Sequence, residues 1–338
     1  MKIAVVGLGR MGRRHIQAVR SLGLEVCAVC DVSAESLELT EREHGIGPDR
    51  HFRTLGPMLA ASRPDGLIVA TTAPTHASLT CEAAEAGVRY VVCEKPMAVS
   101  LGECDRMLEV CRAHGTALAI NHQMRFMEQY IEPKAIAESE SFGGLRSVTV
   151  VAGNFGLGMN ALHYFEMFRF MTGERPRFVT AWFAGDAVPN PRGPQFSDRA
   201  GTVRIETASG RRFYLDCWSD QGHGVQAIYG GPYGQLHVDE LQGTMTVVVR
   251  EAAHRALPST RYGMPAVRTT RAIAPADVIV PSAAVLRALI DQRDHPSGED
   301  GRLAVSVLVA AYLSHECGHA TIDLERDALP VDRVFPWA

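Results

Sequence analysis

The first 31 residues constrain the fold of this chain more than any other stretch. They contain a short apolar run with β-branched members, a glycine-rich turn, a helix-favouring segment and a second apolar run that ends at Asp31. The turn, Gly7-Leu8-Gly9-Arg10-Met11-Gly12, follows the first run without a spacer. A strand, a G-x-G-x-x-G turn and a helix in this order, with an acid about 20 residues later, are typical of a dinucleotide-binding βαβ unit.

Each glycine of the turn has its own physical role. Gly7 allows the tight turn, Gly9 lets backbone amides approach a pyrophosphate, and Gly12 lets the helix pack closely on the strand. The helix then presents unpaired N–H groups and the positive end of its dipole to the phosphates. We therefore predict a dinucleotide site at this turn, with Arg10 and Met11 also in contact with the cofactor.

Asp31 predicts which dinucleotide binds. A carboxylate at this position accepts hydrogen bonds from both ribose hydroxyls of an adenosine and repels a 2′-phosphate. Residues 32–34, Val-Ser-Ala, place no Arg or Lys directly after the acid. The sequence thus favours NAD over NADP as the cofactor.

The composition argues against several other classes of partner. A chain of 338 residues suits two domains, and 46% hydrophobic with 21% charged residues is ordinary for a globular protein. The net charge of −4 is spread without a basic block, which argues against nucleic acid or an anionic membrane surface as a partner. The start does not resemble a signal peptide, no apolar run has membrane-spanning length, and the 8 scattered cysteines are typical of reduced thiols, so we expect the cytoplasm.

Two patterns resemble metal sites. Cys27 and Cys30 form C-x-x-C on a predicted strand, where side chains three residues apart point to opposite faces. Residues 315–319 match H-E-x-x-H, a zinc pattern that needs both histidines on one continuous helix face. Gly318 stands at the expected end of the helix, so a helix C-terminus with solvated histidines is the favoured interpretation, and we predict no metal.

Polar residues also follow a later apolar run of the first half. Thr71, Thr72, Pro74 and His76 come after the run 65–70. Ligands of doubly wound sheets bind at the carboxyl ends of strands, so these residues are predicted to lie along the nicotinamide ribose of the cofactor. A loop that caps the next helix is the alternative, and the sequence does not choose between the two.

Lys95 is the strongest candidate for chemistry. It stands in Glu94-Lys95-Pro96, directly after the apolar run 90–93, where an ammonium must be paired or reach a ligand. If it faces the nicotinamide, it donates a hydrogen bond to a substrate oxygen and stabilises alkoxide character as hydride leaves. The alternative is a surface lysine beside a helix-starting proline.

Four motifs together resemble one known family. The glycine turn, residues 70–76, Glu94-Lys95-Pro96 and residues 121–126 occur in the order and at the spacing of the Gfo/Idh/MocA family of NAD(P)-dependent oxidoreductases. Residues 281–311 are similar to that family as well. The resemblance implies that Lys95 is the lysine of the catalytic site and that Glu94 and Asn121 belong to the cofactor site.

The resemblance also implies an α/β chain of two domains. Residues 1–126 would form a Rossmann dinucleotide-binding domain. Residues 127–338 would form an α+β domain for substrate binding and oligomerisation, with an open-faced, largely antiparallel sheet and a C-terminal tail able to pack back on the first domain. Alternating segments between residues 145 and 249 predict the strands of that sheet.

His163 is the second candidate for chemistry. It stands in a predicted helix over residues 158–170, with Met159 and Asn160 about one turn before it. The resembling family usually places Asp four residues before this His, where Met159 stands here. Asn160 orients a ring or a substrate group but adds no charge. We predict that His163 relays a substrate hydroxyl proton, against the alternative of a structural histidine.

The leading functional hypothesis is hydride transfer between NAD and a secondary alcohol or ketone of a sugar, cyclitol or sugar derivative. The predicted substrate contacts are Arg125, Asn160, His163, Tyr164 and Tyr233, and Arg125 would suit a carboxylate or phosphate. Two alternatives stay open: net non-redox chemistry with tightly bound NAD, such as epimerisation or glycoside cleavage, and a non-catalytic sensor of a dinucleotide and a sugar. A homodimer or homotetramer is the expected assembly.

Overall fold

The computed structural model describes residues 1–153, 155–188, 190–258 and 265–338. The chain divides into two compact units that are not continuous in sequence. The first unit consists of residues 1–123, 277–305 and 330–338, and the second consists of residues 124–276 and 306–329. The predicted domain boundary between residues 126 and 127 stays a prediction.

The first unit contains six parallel strands. They are β1 (Lys2–Val6), β2 (Glu25–Cys30), β3 (His51–Phe52), β4 (Gly66–Val69), β5 (Tyr90–Cys93) and β6 (Ala117–Ile120). Their order in the sheet is β3-β2-β1-β4-β5-β6, and every neighbouring pair is parallel. This is the doubly wound order in which ligands bind where the strand order reverses, between β1 and β4.

Helices connect these strands at the positions that the glycines and caps predict. They are α1 (Arg10–Ser21), α2 (Ala34–His44), α3 (Leu55–Ser62), α4 (His76–Glu85) and α5 (Leu101–His114). The side chain of Ser33 accepts the Ser36 N–H at the start of α2, and Ser100 does the same for Glu103 at the start of α5. Gly45 and Gly115 end the same helices in the left-handed conformation.

The second unit is built on a nine-stranded sheet. Before it comes α6 (Glu128–Glu138), and between its first two strands, β7 (Ser147–Val151) and β8 (Pro176–Val188), lies α7 (Leu162–Thr172). The others are β9 (Asp198–Thr207), β10 (Arg212–Asp216), β11 (Gln226–Gly230), β12 (Gly234–Asp239), β13 (Thr244–Arg250) and β14 (Ala266–Ala272). After α8 (Ile279–Ile290) and α9 (Gly298–Glu316), β15 (Ile322–Asp323) completes the sheet.

The strand pairing of this sheet is largely antiparallel. The order is β14-β13-β12-β11-β7-β10-β9-β8-β15, and among these neighbours only β7 and β10 run parallel. One face is covered by α7, whose Phe165 and Phe168 rings lie 6.1 and 5.5 Å from the ring of Phe213. On the sheet, Trp182 and Ile228 remain more than two-fifths exposed. The predicted fold class, a Rossmann sheet followed by a largely antiparallel one, is confirmed.

The start of the helix predicted over residues 158–170 and the end of α9 are the next two features. The helix predicted over 158–170 begins with a π-helical turn, Leu157–Ala161, before α7 starts at Leu162, so the simple α-helical spacing of its first residues was wrong. Helix α9 ends at Glu316, which leaves His319 beyond the helix with a φ of 66°. In the described ranges, no helix is both long enough and apolar enough to cross a bilayer.

Candidate active site

The glycine turn after β1 is shaped by two close approaches of the backbone. Gly7 has a φ of +86°, and a Cβ there would lie 2.6 Å from the carbonyl carbon of Ala70. A Cβ on Gly12 would lie 1.8 Å from the Gly7 carbonyl oxygen. A Cβ on Gly9, by contrast, would meet nothing within 4 Å. Gly7 and Gly12 are therefore required by the protein's own packing, whereas Gly9 keeps open space in front of the helix.

The N-terminus of α1 has the features of an anion site. Gly9 is its N-cap, no side chain caps it, and its first turn contains no acidic residue. The Arg13 N–H donates to the Gly9 carbonyl at 3.1 Å, which leaves the N–H groups of residues 10–12 at the end of the helix. These groups and the open space at Gly9 fit a pyrophosphate.

Asp31 is fixed against the glycine turn. Its Oδ2 accepts the Leu8 N–H at 2.6 Å, and its Oδ1 accepts the Ser33 N–H at 2.7 Å. Each carboxylate oxygen keeps a further lone pair for a ribose hydroxyl. Nearby, the Arg53 guanidinium donates to the Val32 carbonyl. Sequence reasoning missed this cation because Arg53 follows β3 and not β2.

The loop after β4 contains four predicted cofactor residues. Thr71, Thr72 and Pro74 lie between the strand and α4, and the Thr75 hydroxyl donates to the Thr71 hydroxyl at 2.7 Å. His76 is fully buried, with Nδ1 2.8 Å from the Pro96 carbonyl oxygen and Nε2 3.2 Å from that of Thr71. The ring therefore joins two loops of this edge, and its direct contact with a cofactor stays a prediction.

Glu94 is the centre of a buried network at the end of β5. His15 Nε2 lies 2.8 Å from its Oε1, and Asn121 Nδ2 donates to the same oxygen at 2.9 Å. The Lys95 backbone N–H donates to Oε2 at 3.3 Å. Burial alone would raise the pKa of Glu94, but the hydrogen bond and charge of His15, the charge of Lys95 and the Asn121 amide lower that pKa to about 2. Glu94 is therefore an ionised carboxylate inside the protein.

Asn121 follows β6 and has one atom left for a ligand. Its Nδ2 also lies 3.2 Å from the Ser282 hydroxyl, whereas its fully buried Oδ1 has no hydrogen-bond partner among the described residues. Buried acceptors without a partner are costly. This atom is consistent with a ligand group that donates a hydrogen bond.

Lys95 is half-buried and lies directly beyond the carboxyl end of β5. The Lys95–Pro96 peptide bond is cis. Its predicted convergence with His163 would join residues of both units, and it stays a prediction.

In the second unit, Met159 and Asn160 lie in the π-helical turn Leu157–Ala161, and His163 lies in the first turn of α7. All three side chains are half-buried, and the Asn160 N–H donates to the Gly156 carbonyl at 2.9 Å. Asp198, which sequence reasoning missed, accepts the Gly158 and Met159 N–H groups at 2.9 and 2.8 Å. No local pattern could have revealed this contact, since about 40 residues separate its partners.

Arg125 is engaged inside the second unit. Its Nε and Nη2 donate to Glu166 Oε1 at 2.8 and 2.5 Å, and both side chains are almost fully buried. The Phe170 ring lies 5.3 Å from its guanidinium. Arg125 is therefore paired with a carboxylate of the protein, and its contact with a substrate anion stays a prediction.

The two predicted tyrosines lie in different surroundings. Tyr164 is buried, its hydroxyl donates to Glu240 at 3.3 Å, and its ring stacks on Phe155 at 5.9 Å. Tyr233 lies in the turn between β11 and β12, with the Arg255 guanidinium 5.4 Å from its ring. Tyr164 follows His163 in α7 and is buried with its hydroxyl on Glu240, and a substrate contact of either tyrosine stays a prediction.

A family model matches the N-terminal part of the first unit. Residues 1–122 match the model of the GFO_IDH_MocA oxidoreductase family, which is described as an NAD-binding Rossmann fold. The N-terminal region of this chain is similar to that family over these residues. The resemblance drawn from the four motifs is confirmed, and so is an NAD-binding fold for this region.

Relatives and solved structures extend the similarity to nearly the whole chain. D-apiose dehydrogenase from Paraburkholderia graminis is 26% identical over 96% of this chain and 90% of its own length. Myo-inositol 2-dehydrogenase from Thermotoga maritima is 24% identical over 75% of this chain and 80% of its own. An oxidoreductase from Agrobacterium radiobacter, crystallised with NAD+, L-tartaric acid and magnesium, covers 96% of this chain and 98% of its own with a TM-score of 0.81 and 20% identity. This last likeness establishes the fold.

Proposed function

We propose that this chain is an NAD-dependent oxidoreductase that transfers hydride between the nicotinamide and a secondary alcohol or ketone of a sugar, cyclitol or sugar derivative. One observation carries the proposal. Five parallel strands of the first unit end in the glycine turn, Asp31, the Thr71 loop, Lys95 and Asn121, and parallel strands present their carboxyl ends at one edge. That edge thus combines a phosphate site, a ribose site and a cation able to act on a substrate oxygen.

The cofactor would be held by the first three of these elements. The N–H groups at the start of α1 bind the pyrophosphate, and Asp31 accepts the ribose hydroxyls and repels a 2′-phosphate. Bound NAD supplies a nicotinamide carbon that accepts hydride from a CH–OH carbon. The open space at Gly9 supports this assignment, as does Asn121 Oδ1, which has no hydrogen-bond partner within the described parts of the chain.

Lys95 and His163 have different roles at the substrate oxygen in this proposal. The Lys95 ammonium donates a hydrogen bond to that oxygen and stabilises negative charge on it. The His163 imidazole takes the hydroxyl proton in oxidation and returns it in reduction. Asn160, beside His163, binds a neighbouring hydroxyl of the substrate.

An uncharged polyol is the substrate class that the site favours. Two relatives are named for the oxidation of D-apiose and of myo-inositol, which carry several hydroxyl groups and no charge. The predicted anion-binding residue, Arg125, is already paired with Glu166. This pairing supports a neutral substrate over a carboxylate or a phosphate ester.

A homodimer or homotetramer is part of the same proposal. Its support is the exposure of Trp182 and Ile228 on the nine-stranded sheet. Light scattering coupled to size-exclusion chromatography measures the assembly, and a monomer at all concentrations would contradict the proposed oligomer.

We also propose that the protein works in the cytoplasm, which is supported by the free thiols of its 8 cysteines.

The activity is tested with the purified full chain and NAD against a panel of myo-inositol, D-apiose and common aldohexoses. We expect the absorbance of the reduced nicotinamide to grow with at least one polyol when NAD is present, and to grow less when NADP replaces NAD. Product formation without accumulated NADH would favour the non-redox alternative. Thermal stabilisation by a sugar without any turnover would favour the sensor.

A further inference from the structure

Asp198 is a fully buried carboxylate at the start of β9. Its Oδ1 accepts the N–H groups of Gly158 and of its own neighbour Arg199, each at 2.9 Å, and its Oδ2 accepts the Met159 N–H at 2.8 Å. Hydrogen bonds from backbone N–H groups to a carboxylate are charge-assisted and stronger than neutral ones. Asp198 therefore attaches the turn before α7 to the nine-stranded sheet.

Gly156 leaves the space that this carboxylate occupies. A Cβ at position 156 would lie 2.0 Å from Asp198 Oδ2 and 2.3 Å from its Cγ. The φ of Gly156 is −79°, which any residue can adopt, so the requirement for glycine is steric. The Asp198 carboxylate therefore has room only when residue 156 is glycine.

The turn held by Asp198 is wider than an α-helical turn. The Ala161 N–H donates to the Gly156 carbonyl at 3.2 Å, five residues back, and the π-helical segment Leu157–Ala161 continues directly into α7. Single π turns occur often at functional sites because they change the direction of the side chains around them. Here the turn sets the direction in which the first residues of α7 project.

We propose that Asp198 is the positioning residue for His163, which rests on the proposed function of His163. The imidazole stands four residues after Met159, in the first turn of α7. Asp198 holds the backbone of the turn at Gly158 and Met159, and through it the start of α7. Its negative charge also lies at the helix N-terminus, where it is favourable.

Two substitutions perturb this contact by different means. Asp198→Asn keeps the size of the side chain but replaces one acceptor oxygen with an NH2 donor, so one backbone N–H loses its partner. Gly156→Ala keeps the acid and places a methyl group against it. The matched control is Asp216→Asn in β10, whose carboxylate accepts the Thr202 hydroxyl at 2.7 Å and the Gln221 amide at 2.6 Å.

The first measurements report on the structure of the variants and do not depend on their activity. Hydrogen exchange of the amides of residues 156–163, and the NMR signal of the His163 imidazole, assigned with His163→Gln, are compared in the full-length variants. We expect faster exchange and a displaced or broadened imidazole signal in Asp198→Asn and Gly156→Ala, and neither change in Asp216→Asn. An unchanged turn and imidazole in both test variants would overturn the proposal.

The kinetic constants are measured with the polyol that reduces NAD fastest among myo-inositol, D-apiose and the aldohexoses. We expect kcat to fall about 10- to 100-fold in Asp198→Asn, because a misplaced catalytic group costs rate steeply. The Kd for NADH should stay unchanged, and the solvent deuterium isotope effect on kcat should rise as proton transfer becomes limiting. An equal loss of kcat in Asp216→Asn would overturn the proposal, whereas altered exchange and imidazole signals with no polyol oxidised would count against the proposed function alone.

Discussion

The two units of this chain place their polar residues by different means. In the first unit, the predicted cofactor residues follow the carboxyl ends of parallel strands, so the sheet itself brings them to one edge. In the second unit, the candidate residues stand around the start of a helix, where Asp198 accepts backbone N–H groups of the turn before it and Glu240 accepts the Tyr164 hydroxyl. The first arrangement follows from the order of the strands, while the second depends on contacts between residues far apart in the sequence.

The buried carboxylates show the same contrast. Glu94 in the first unit is surrounded by His15, Lys95 and Asn121, and its pKa is lowered to about 2 against the effect of burial. Glu240 in the second unit lies among tyrosines. Burial raises its pKa, and the hydrogen bonds from Tyr130 and Tyr164 reduce the rise without cancelling it. The surroundings thus favour the ionised form of Glu94 and disfavour the ionised form of Glu240.

The largest expected effect tests whether chemistry and fold are separable in the first unit. Lys95→Ala should lower kcat about 10²- to 10⁴-fold, because the substrate oxygen loses its cationic partner. The Kd for NADH, measured by fluorescence titration, should change little. Lys134→Ala, at an exposed pair with Glu138, is the control and should keep full activity. If Lys95→Ala keeps most of the wild-type kcat, Lys95 does not act on the substrate oxygen.

The next effect concerns the charge that the first unit favours. Glu94→Gln should lower the free energy of unfolding by roughly 3–5 kcal/mol at pH 7, because it leaves buried donors without their anion. The wild-type pKa is lowered from 4.5 to about 2, so this stability is present above pH 4.5 and is lost as the pH falls toward 2. Urea unfolding in a Trp182→Phe/Trp218→Phe background measures it, since Trp337 then reports on this unit.

The exposed Glu85→Gln serves as the reference for that experiment. It should leave both the stability and its acid dependence unchanged. A Glu94→Gln variant that unfolds like the reference at every pH would show that the network is not a source of stability.

A smaller effect sharpens the assignment of cofactor preference. Asp31→Ala should weaken NADH binding about 10- to 100-fold, through the loss of charged hydrogen bonds. It should also relax the exclusion of NADPH, because the repulsive carboxylate is gone while the Arg53 guanidinium remains near Val32. Fluorescence titration with both cofactors measures the ratio, and Asp31→Ala/Arg53→Ala should lose the gain for NADPH. An unaltered ratio in the single variant would defeat the assignment.

The smallest effect concerns the ionised form of Glu240, which its buried surroundings disfavour. Because the pKa of Glu240 is raised above 4.5, the second unit loses stability as the pH rises from 4.5 through the folded pKa. Glu240→Gln should remove this dependence and raise the free energy of unfolding at pH 8 by less than about 1 kcal/mol. Denaturation at pH 4.5 and pH 8 measures it against Glu138→Gln on α6. A destabilised variant at pH 8 would show that the ionised form is preferred.

The sequence predicted the first unit closely because its signals are local. The glycine turn, Asp31 and Glu94-Lys95-Pro96 each follow directly from an apolar strand, and the strand order then brings them together. It did not predict His15 as a partner of Glu94, although His15 stands three residues after Gly12 on the buried side of α1. A buried histidine next to the glycine turn was the available signal.

In the second unit the missed residues are partners across long separations. Glu166 lies 41 positions from Arg125, and Glu240 lies 76 positions from Tyr164. A single sequence contains no period or spacing that links such pairs. The π turn before α7 was missed as well, and its Gly158 and Met159 N–H groups are bound by a carboxylate contributed by β9.

The Rossmann unit is completed by residues far along the chain. The Phe335 N–H donates to the Val99 carbonyl, and the fully buried Trp337 donates through Nε1 to the Ala98 carbonyl at 3.0 Å. During synthesis, the nascent segment 1–123 leaves the ribosome long before these partners exist. The contacts at residues 98–99 therefore form only after the whole second unit has been translated.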